Sequence, residues 1–264
     1  MSLIASRRHR AGDLAAWATR ERGDRIWAQL PRLARLVERA KAALRTFAAG
    51  GDFYVGTSWG KDSLVVVDLA REAGVSAPVV WFPAGPVENP DCALVRDAYL
   101  ARHDVRYVEH EAADLVWRQD GTYLVHDGAQ AAFVRASRSH GLRYASGVRA
   151  EESTTRRRRV AQWGECSPHT CAPIGHWRGE DVFAYLALRD LPVHPAYACS
   201  RGGSLQRSAI RVGTIGGAVG DGWGRHEWEE RYYPEVVRVV RQLASVGGVG
   251  EKRHTLDRGG ACSD

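Results

Sequence analysis

The chain has 264 residues, 44% of them hydrophobic, enough for one large core or for one domain with an appendage. No run approaches the roughly 18 consecutive apolar residues of a membrane span, the basic start has no apolar stretch behind it, and five scattered cysteines make no disulfide framework, so a signal peptide is not expected and a reduced cytoplasmic protein is. The net charge of +6 points to an anionic partner, a nucleotide or a nucleic acid, or else to a solvated arginine-rich surface.

Between residues 26 and 47, Trp27, Leu30, Leu33, Leu36, Val37, Ala40, Leu44 and Phe47 recur at helical spacing with Arg and Glu between them. This predicts one amphipathic helix, ended by Gly50 and Gly51. A strand is expected at 53–57 and a helix from the following turn to residue 73. A buried strand at 78–82, a helix at 90–103, a third strand at 105–108, a helix at 130–140 and a fourth strand at 142–146 follow. Short apolar strands alternating with helices predict an α/β fold, a parallel sheet flanked by helices with right-handed crossovers. Ligands of such sheets sit at the C-terminal strand edge.

Beyond about residue 160 the pattern is irregular, with a helix at 179–188. Another is expected at 227–244, with Trp228, Val236, Val237, Val240 and Leu243 inward. The Gly-rich, charged end from 247 is expected to be loosely ordered. The reading divides the chain into an N-terminal helical segment (1–50), a nucleotide-binding domain (51–200), a C-terminal helical extension (201–248) and a tail (249–264).

The most telling segment is Ser58-Trp59-Gly60-Lys61-Asp62-Ser63. It lies between an apolar strand and a helix start, where unpaired N–H groups and the helix dipole favour phosphate. Gly60 permits close backbone approach, Lys61 adds a charge, and Ser58 and Ser63 add hydroxyls. It is not a Walker A loop, since Val55 stands where that pattern needs Gly and Asp62 where it needs Ser or Thr. The segment resembles the PP-loop of the ATP pyrophosphatase and phosphoadenosine phosphosulfate reductase superfamily.

A second stretch, Gly147-Val148-Arg149-Ala150-Glu151-Glu152-Ser153-Thr154-Thr155-Arg156, resembles that superfamily's G-[IV]-R-x-x-E-S-x-x-R motif. Arg149 and Arg156 are planar donors suited to phosphate or sulfate, and Glu152 suits orienting an arginine or accepting from a ribose. Arg157, Arg158 and Arg159 are expected on a solvated face. A third stretch, from Cys171 through Trp177 and Asp181 to the Leu191-Pro192-Val193-His194-Pro195-Ala196-Tyr197 run, resembles the superfamily's P-I-x-x-W and L-P-x-H-P-x-Y segments. Trp177, Val182, Phe183 and Leu186 read as core, and His194 as a structural cap. Residues 81–90 resemble a nucleotide-closing loop, with Pro83 and Ala84 in place of its acidic-Thr pair, which leaves Glu88 a weak site candidate.

The resemblance covers about residues 53–197. It implies a Rossmann-like adenine nucleotide alpha-hydrolase fold, ATP or a sulfonucleotide (PAPS or APS) as ligand, and chemistry on the α-phosphate side. It implies Lys61, Asp62, Arg149 and Arg156 as catalytic residues, and Ser58, Trp59, Gly60, Ser63, Gly147, Glu152 and Ser153 as nucleotide contacts. Three functions follow. The first is adenylation of an unidentified acceptor with Mg2+ and pyrophosphate release, in which Asp62 holds the metal or the turn. The second is thiol-dependent sulfonucleotide reduction through Cys262, served by a thioredoxin-like partner, although the family's E-C-G-L-H context around that cysteine is missing. The third is a non-enzymatic nucleotide- or nucleic-acid-associated role. A homo-oligomer is expected. Cys166, Cys171 and Cys199, with His169, are candidate ligands for a metal or cluster, at a spacing that fits no standard pattern.

Overall fold

The structure is a computed structural model that describes residues 1–110, 116–117, 123–124, 134, 136–216 and 224–247. The chain opens with a short strand, Ser2–Leu3 (β1), and two helices, Ala11–Trp27 (α1) and Pro31–Ala49 (α2). Periodicity predicts one helix over 26–47, but the chain breaks before Pro31. Leu30 is extended and Pro31 takes the first helical turn, because proline disfavours a helical residue before it and suits a helix start. The first helix lacks a strong apolar stripe. Its anchors are Trp17 and two buried carboxylates, Asp13 and Asp24, whose partners lie far along the chain.

The central region follows the expected alternation with shorter strands. Tyr54–Thr57 (β2) leads into Lys61–Glu72 (α3), Val79–Trp81 (β3), Asp91–Leu100 (α4) and Tyr107–Glu109 (β4). An antiparallel pair, Val116–Trp117 (β5) and Tyr123–Leu124 (β6), comes next. Of the helix expected at 130–140, residues 134 and 136–140 are described, and they are helical. Tyr144–Ala145 (β7) is followed by Thr154–Trp163 (α5), Thr170–Cys171 (β8), Gly179–Leu188 (α6) and Pro192–Val193 (β9). Periodicity missed α5, since an arginine run with few apolar residues shows no stripe. It also missed β8, which is two residues long.

The five-stranded sheet has the order β4-β3-β2-β7-β8 and is parallel throughout. The fold is therefore the Rossmann-like α/β class expected from the sequence. Leu64, Val65, Val66 and Val67 of α3 are all buried, because this helix is sandwiched between the sheet and other helices. Asp68 at its centre accepts hydrogen bonds from Tyr185 at 2.9 Å and Tyr99 at 3.3 Å and pairs with Arg71 and Arg189.

The C-terminal region contains two helices, Arg225–Tyr232 (α7) and Pro234–Gly247 (α8), where one was expected at 227–244. Tyr233 breaks them, and Pro234 starts the second. Trp228, Val236, Val237 and Val240 are buried in the same core as the sheet, and Leu243 packs against it. The tail from 248 onward, with Cys262, lies outside the described residues. Among the described residues no helix is long and apolar enough to cross a membrane.

Candidate active site

The sheet order places a topological switch at β2 and β7. The chain steps outward from β2 to β3 and β4, then returns to the other side of β2 for β7 and β8. Loops at such a point diverge and leave a crevice outside the C-terminal strand ends. The loops after β2 and after β7 flank that crevice. They touch at Gly147, where a Cβ would stand 2.6 Å from the Asp62 carbonyl carbon and 2.7 Å from the Ser63 nitrogen. Glycine is required there by close approach of two backbones.

Residues 58–63 form a turn fastened by its own hydroxyls. The Ser63 hydroxyl donates to the Gly60 carbonyl at 3.1 Å and accepts from the Ser58 N–H at 3.1 Å. The Trp59 N–H donates to Thr57 Oγ1 at 3.0 Å. Trp59 has φ +56, a left-handed conformation that costs a non-glycine residue energy and that surrounding structure must enforce. Its indole supplies that enforcement. It is fully buried and packs edge-on to Tyr107 and tilted to Tyr99. Trp59 was expected to touch the nucleotide, but it shapes the loop from beneath, its side chain in the core and away from the crevice.

The cations of the site are held by carboxylates. Lys61 Nζ lies 2.7 Å from Asp62 Oδ2, and Arg149 Nε lies 2.7 Å from Asp62 Oδ1. Burial pushes the Asp62 carboxyl up, but Lys61 and Arg149 outweigh it and hold the group below its usual range. Arg149 also pairs with Glu151, whose Oε1 accepts the Gly179 N–H at 2.9 Å. Glu152 accepts the Arg149 backbone N–H at 2.9 Å and pairs with Arg156. Ser153 caps α5 by accepting the Arg156 N–H at 3.2 Å. Arg157 and Arg158 are exposed on α5, as expected of a charge run, whereas Arg159 is half-buried and donates to Thr170 Oγ1.

The resulting cleft has a volume of about 590 Å³. Ser58, Gly60, Lys61, Asp62, Ser63, Arg149, Glu152 and Arg156 all line it. A second cavity of about 430 Å³ shares Ser58, Asp62, Ser63, Glu152 and Arg156 with the first and adds Gly147 and the rings of Tyr54, Phe82 and Tyr144. Sequence reasoning missed Tyr197, Ser208 and Arg211 on the cleft wall. The Tyr197 hydroxyl accepts the Lys61 N–H at 3.0 Å. Tyr197 lay within a recognised motif, whereas Ser208 and Arg211 sit in irregular chain with no periodic signal.

Other candidates stand elsewhere. Glu88 accepts the Ala84 N–H at 2.9 Å and closes its own loop, away from both cavities. His194 is a cap, as expected, accepting the Ala196 N–H at 3.1 Å. Cys166 and Cys171 face each other across a β-bridge, whereas Cys199 is buried near Pro195 and Trp228. Among the described residues no group of three or more His, Cys, Asp or Glu side chains is placed to hold a metal ion.

A parallel sheet carrying a glycine turn and an arginine loop at its switch point defines a Rossmann-like α/β protein. Residues 52–248 match the family model described as the phosphoadenosine phosphosulfate reductase domain. The chain belongs to the phosphoadenosine phosphosulfate reductase family, a family of enzymes. It is 26% identical over 181 residues to a phosphoadenosine 5'-phosphosulfate reductase of Synechococcus sp., an overlap of 62% of this chain and 78% of that protein. Among solved structures, the phosphate complex of a phosphoadenylyl-sulfate reductase from Candida auris aligns with 61% of this chain and 87% of its own, at 15% identity and a TM-score of 0.44.

Proposed function

We propose that the chain binds Mg·ATP across the two adjoining cavities and adenylates an acceptor, releasing pyrophosphate. The observation that carries this reading is the charge balance of the cleft. Four cations, Lys61, Arg149, Arg156 and Arg211, stand against four carboxylates, Asp62, Glu151, Glu152 and Glu180. A triphosphate that brings its own Mg2+ needs less surplus positive charge than a bare sulfonucleotide does. Mg2+ enters here as part of the substrate. Both Asp62 oxygens are committed to Lys61 and Arg149, so Asp62 holds the turn and is not offered as a metal ligand.

The rings of Tyr54, Phe82 and Tyr144 suit stacking with a base, and the adjoining polar cleft suits the phosphates. A nucleophilic atom of the acceptor attacks the α-phosphorus, the bond to the bridging oxygen breaks, and pyrophosphate departs with that oxygen. Lys61, Arg156 and Arg211 supply positive charge where negative charge accumulates. Calorimetry with Mg·ATP and with adenosine 3',5'-bisphosphate tests the reading. Preference for ATP, lost in Lys61→Ala, supports it, as does AMP with pyrophosphate once the acceptor is present; ADP with phosphate would sink it.

The name of the Synechococcus relative favours a second reading, thiol-dependent sulfonucleotide reduction with a thioredoxin-like reductant. Burial pushes the Cys92 thiol well above its usual range and the Cys199 thiol up to about 12, and neither lines the cleft. In this reading the nucleophile is Cys262, the cysteine to which the family resemblance points. Preference for the bisphosphate, together with sulfite release abolished by Cys262→Ser, would establish it over adenylation.

A further inference from the structure

We propose that Cys166 and Cys171 are a reversible redox pair that closes an intramolecular disulfide when a peroxide oxidises Cys166. The two residues are antiparallel bridge partners in a tight hairpin. The flanking bonds, Ser167 N–H to Thr170 O at 2.8 Å and Ala172 N–H to Glu165 O, make them a non-hydrogen-bonded pair. The Cα atoms of such pairs lie about 4.5 Å apart with their side chains close together, which falls within the range a disulfide spans. The turn between them is locked independently, since Ser167 Oγ also accepts the Thr170 N–H at 3.1 Å. The pair thus needs little movement to bond.

The two sulfurs differ in access and in charge. Cys171 is fully buried on the edge strand of the sheet, whereas Cys166 is partly exposed. A hydrogen bond from the Cys171 thiol lowers the Cys166 pKa against its burial, helped by Arg159 and Arg143 and opposed by Glu165. Arg39 pairs with Glu165 and tempers that opposition. Reactive cysteines are partly exposed and lie near cations, whereas buried apolar ones are inert. Cys166 therefore plays the attacking role and Cys171 the resolving one.

The steps balance. The Cys166 thiolate attacks one peroxide oxygen, the O–O bond breaks, and a sulfenic acid forms with release of hydroxide. The Cys171 sulfur then attacks the sulfenyl sulfur, loses its proton, and displaces hydroxide as water. Two electrons leave the two sulfurs, and the peroxide becomes two molecules of water. A dithiol reductant returns both thiols by attack on the accessible Cys166 sulfur.

The pair is also placed to report to the cleft. The Cys171 carbonyl accepts the Ser146 N–H at 2.9 Å, and Gly175 further along accepts the Ala150 N–H at 2.9 Å. Those two bonds flank Gly147 and Arg149.

Both cysteines fall on one tryptic peptide, residues 160–178, so mass spectrometry of the intact chain reads the pair directly. After hydrogen peroxide treatment and alkylation, this peptide is expected to carry no alkyl groups and to weigh two hydrogens less. A dithiol reductant should restore double alkylation. Cys171→Ser should leave Cys166 as a trapped sulfenic acid, detectable with dimedone. Two alkylated thiols after peroxide, or a disulfide from either cysteine to another residue, would overturn the proposal.

Discussion

Arg149 Nε lies 2.7 Å from Asp62 Oδ1, tying the loop after β7 to the first turn of α3 across 87 positions of sequence. This bond fixes the width of the crevice. It also fixes the posture of Asp62, whose other oxygen holds Lys61. The Arg149 side chain is only 1% exposed, so the pair is shielded from water and salt on one side. Removing one partner of such a pair strands the other, at a cost of about 3–5 kcal/mol. Arg149→Met is therefore expected to lower the melting temperature and weaken nucleotide binding at least tenfold. Arg149→Lys should recover little of either, because one ammonium cannot serve Asp62 and Glu151 in the geometry of the guanidinium fork. Thermal melts and calorimetry on both variants check this.

Gly147→Ala should be more damaging than its size suggests. The added methyl would meet the backbone of Asp62 and Ser63, and backbone cannot swing aside as a flexible side chain does. Overpacking of this kind costs about 1–3 kcal/mol, and here it would push the arginine loop away from the phosphate turn. Reduced stability together with lost nucleotide binding is expected. Unchanged binding would show that the two loops move independently.

Arg207 and Arg211 are four residues apart and should behave oppositely. Arg207 is buried against Asp24 of α1, with Nη1 2.7 Å from Oδ2, and lies 3.8 Å over the Phe183 ring. Arg211 is exposed on the cleft wall. Arg207→Ala is expected to lower unfolding free energy by about 3–5 kcal/mol, as breaking a buried pair does. Arg211→Ala is expected to leave the melt unchanged and weaken nucleotide binding about tenfold, or about 1.4 kcal/mol. Denaturant titrations beside binding isotherms separate the two.

His194 predicts a pH dependence of stability. Burial, with Arg8 nearby, pushes its pKa down to about 3 from an ordinary value of 6.5. The folded state keeps the ring neutral, whereas the unfolded chain takes up a proton as pH falls through 6.5. The stabilisation is thus fully present above pH 6.5 and is lost progressively below it, down to the folded-state value. Between pH 7 and 5 this one group should remove on the order of 2 kcal/mol. His194→Gln should flatten the slope in urea titrations at the two pH values, and an unchanged slope would assign the acid sensitivity to other groups.

Much of the architecture was legible in the chain itself. Apolar strands alternating with helices, a glycine turn followed by Lys61, and the run from Gly147 to Arg156 set the fold class and the two loops of the crevice. These signals are local, so spacing and composition carry them. The misreadings are also physical. One helix was expected where Pro31 restarts a second, because apolar periodicity continues through a proline that the backbone does not accept in a helix interior. Trp59 was read as a ligand contact from its place in the motif, yet its positive φ turns the indole into the core beside Tyr99 and Tyr107.

The sequence by itself determined the parallel α/β plan, the glycine turn before α3 and the arginine loop after β7. Only the tertiary structure decided that Arg149 is clamped by Asp62 and Glu151, that Tyr197 receives the Lys61 amide, that Arg211 reaches the cleft, and that Cys166 faces Cys171. The reason lies in range. Propensity and periodicity act within a turn or two of chain, whereas these relationships arise from which side chains remain to satisfy each buried charge and donor once the layers have packed.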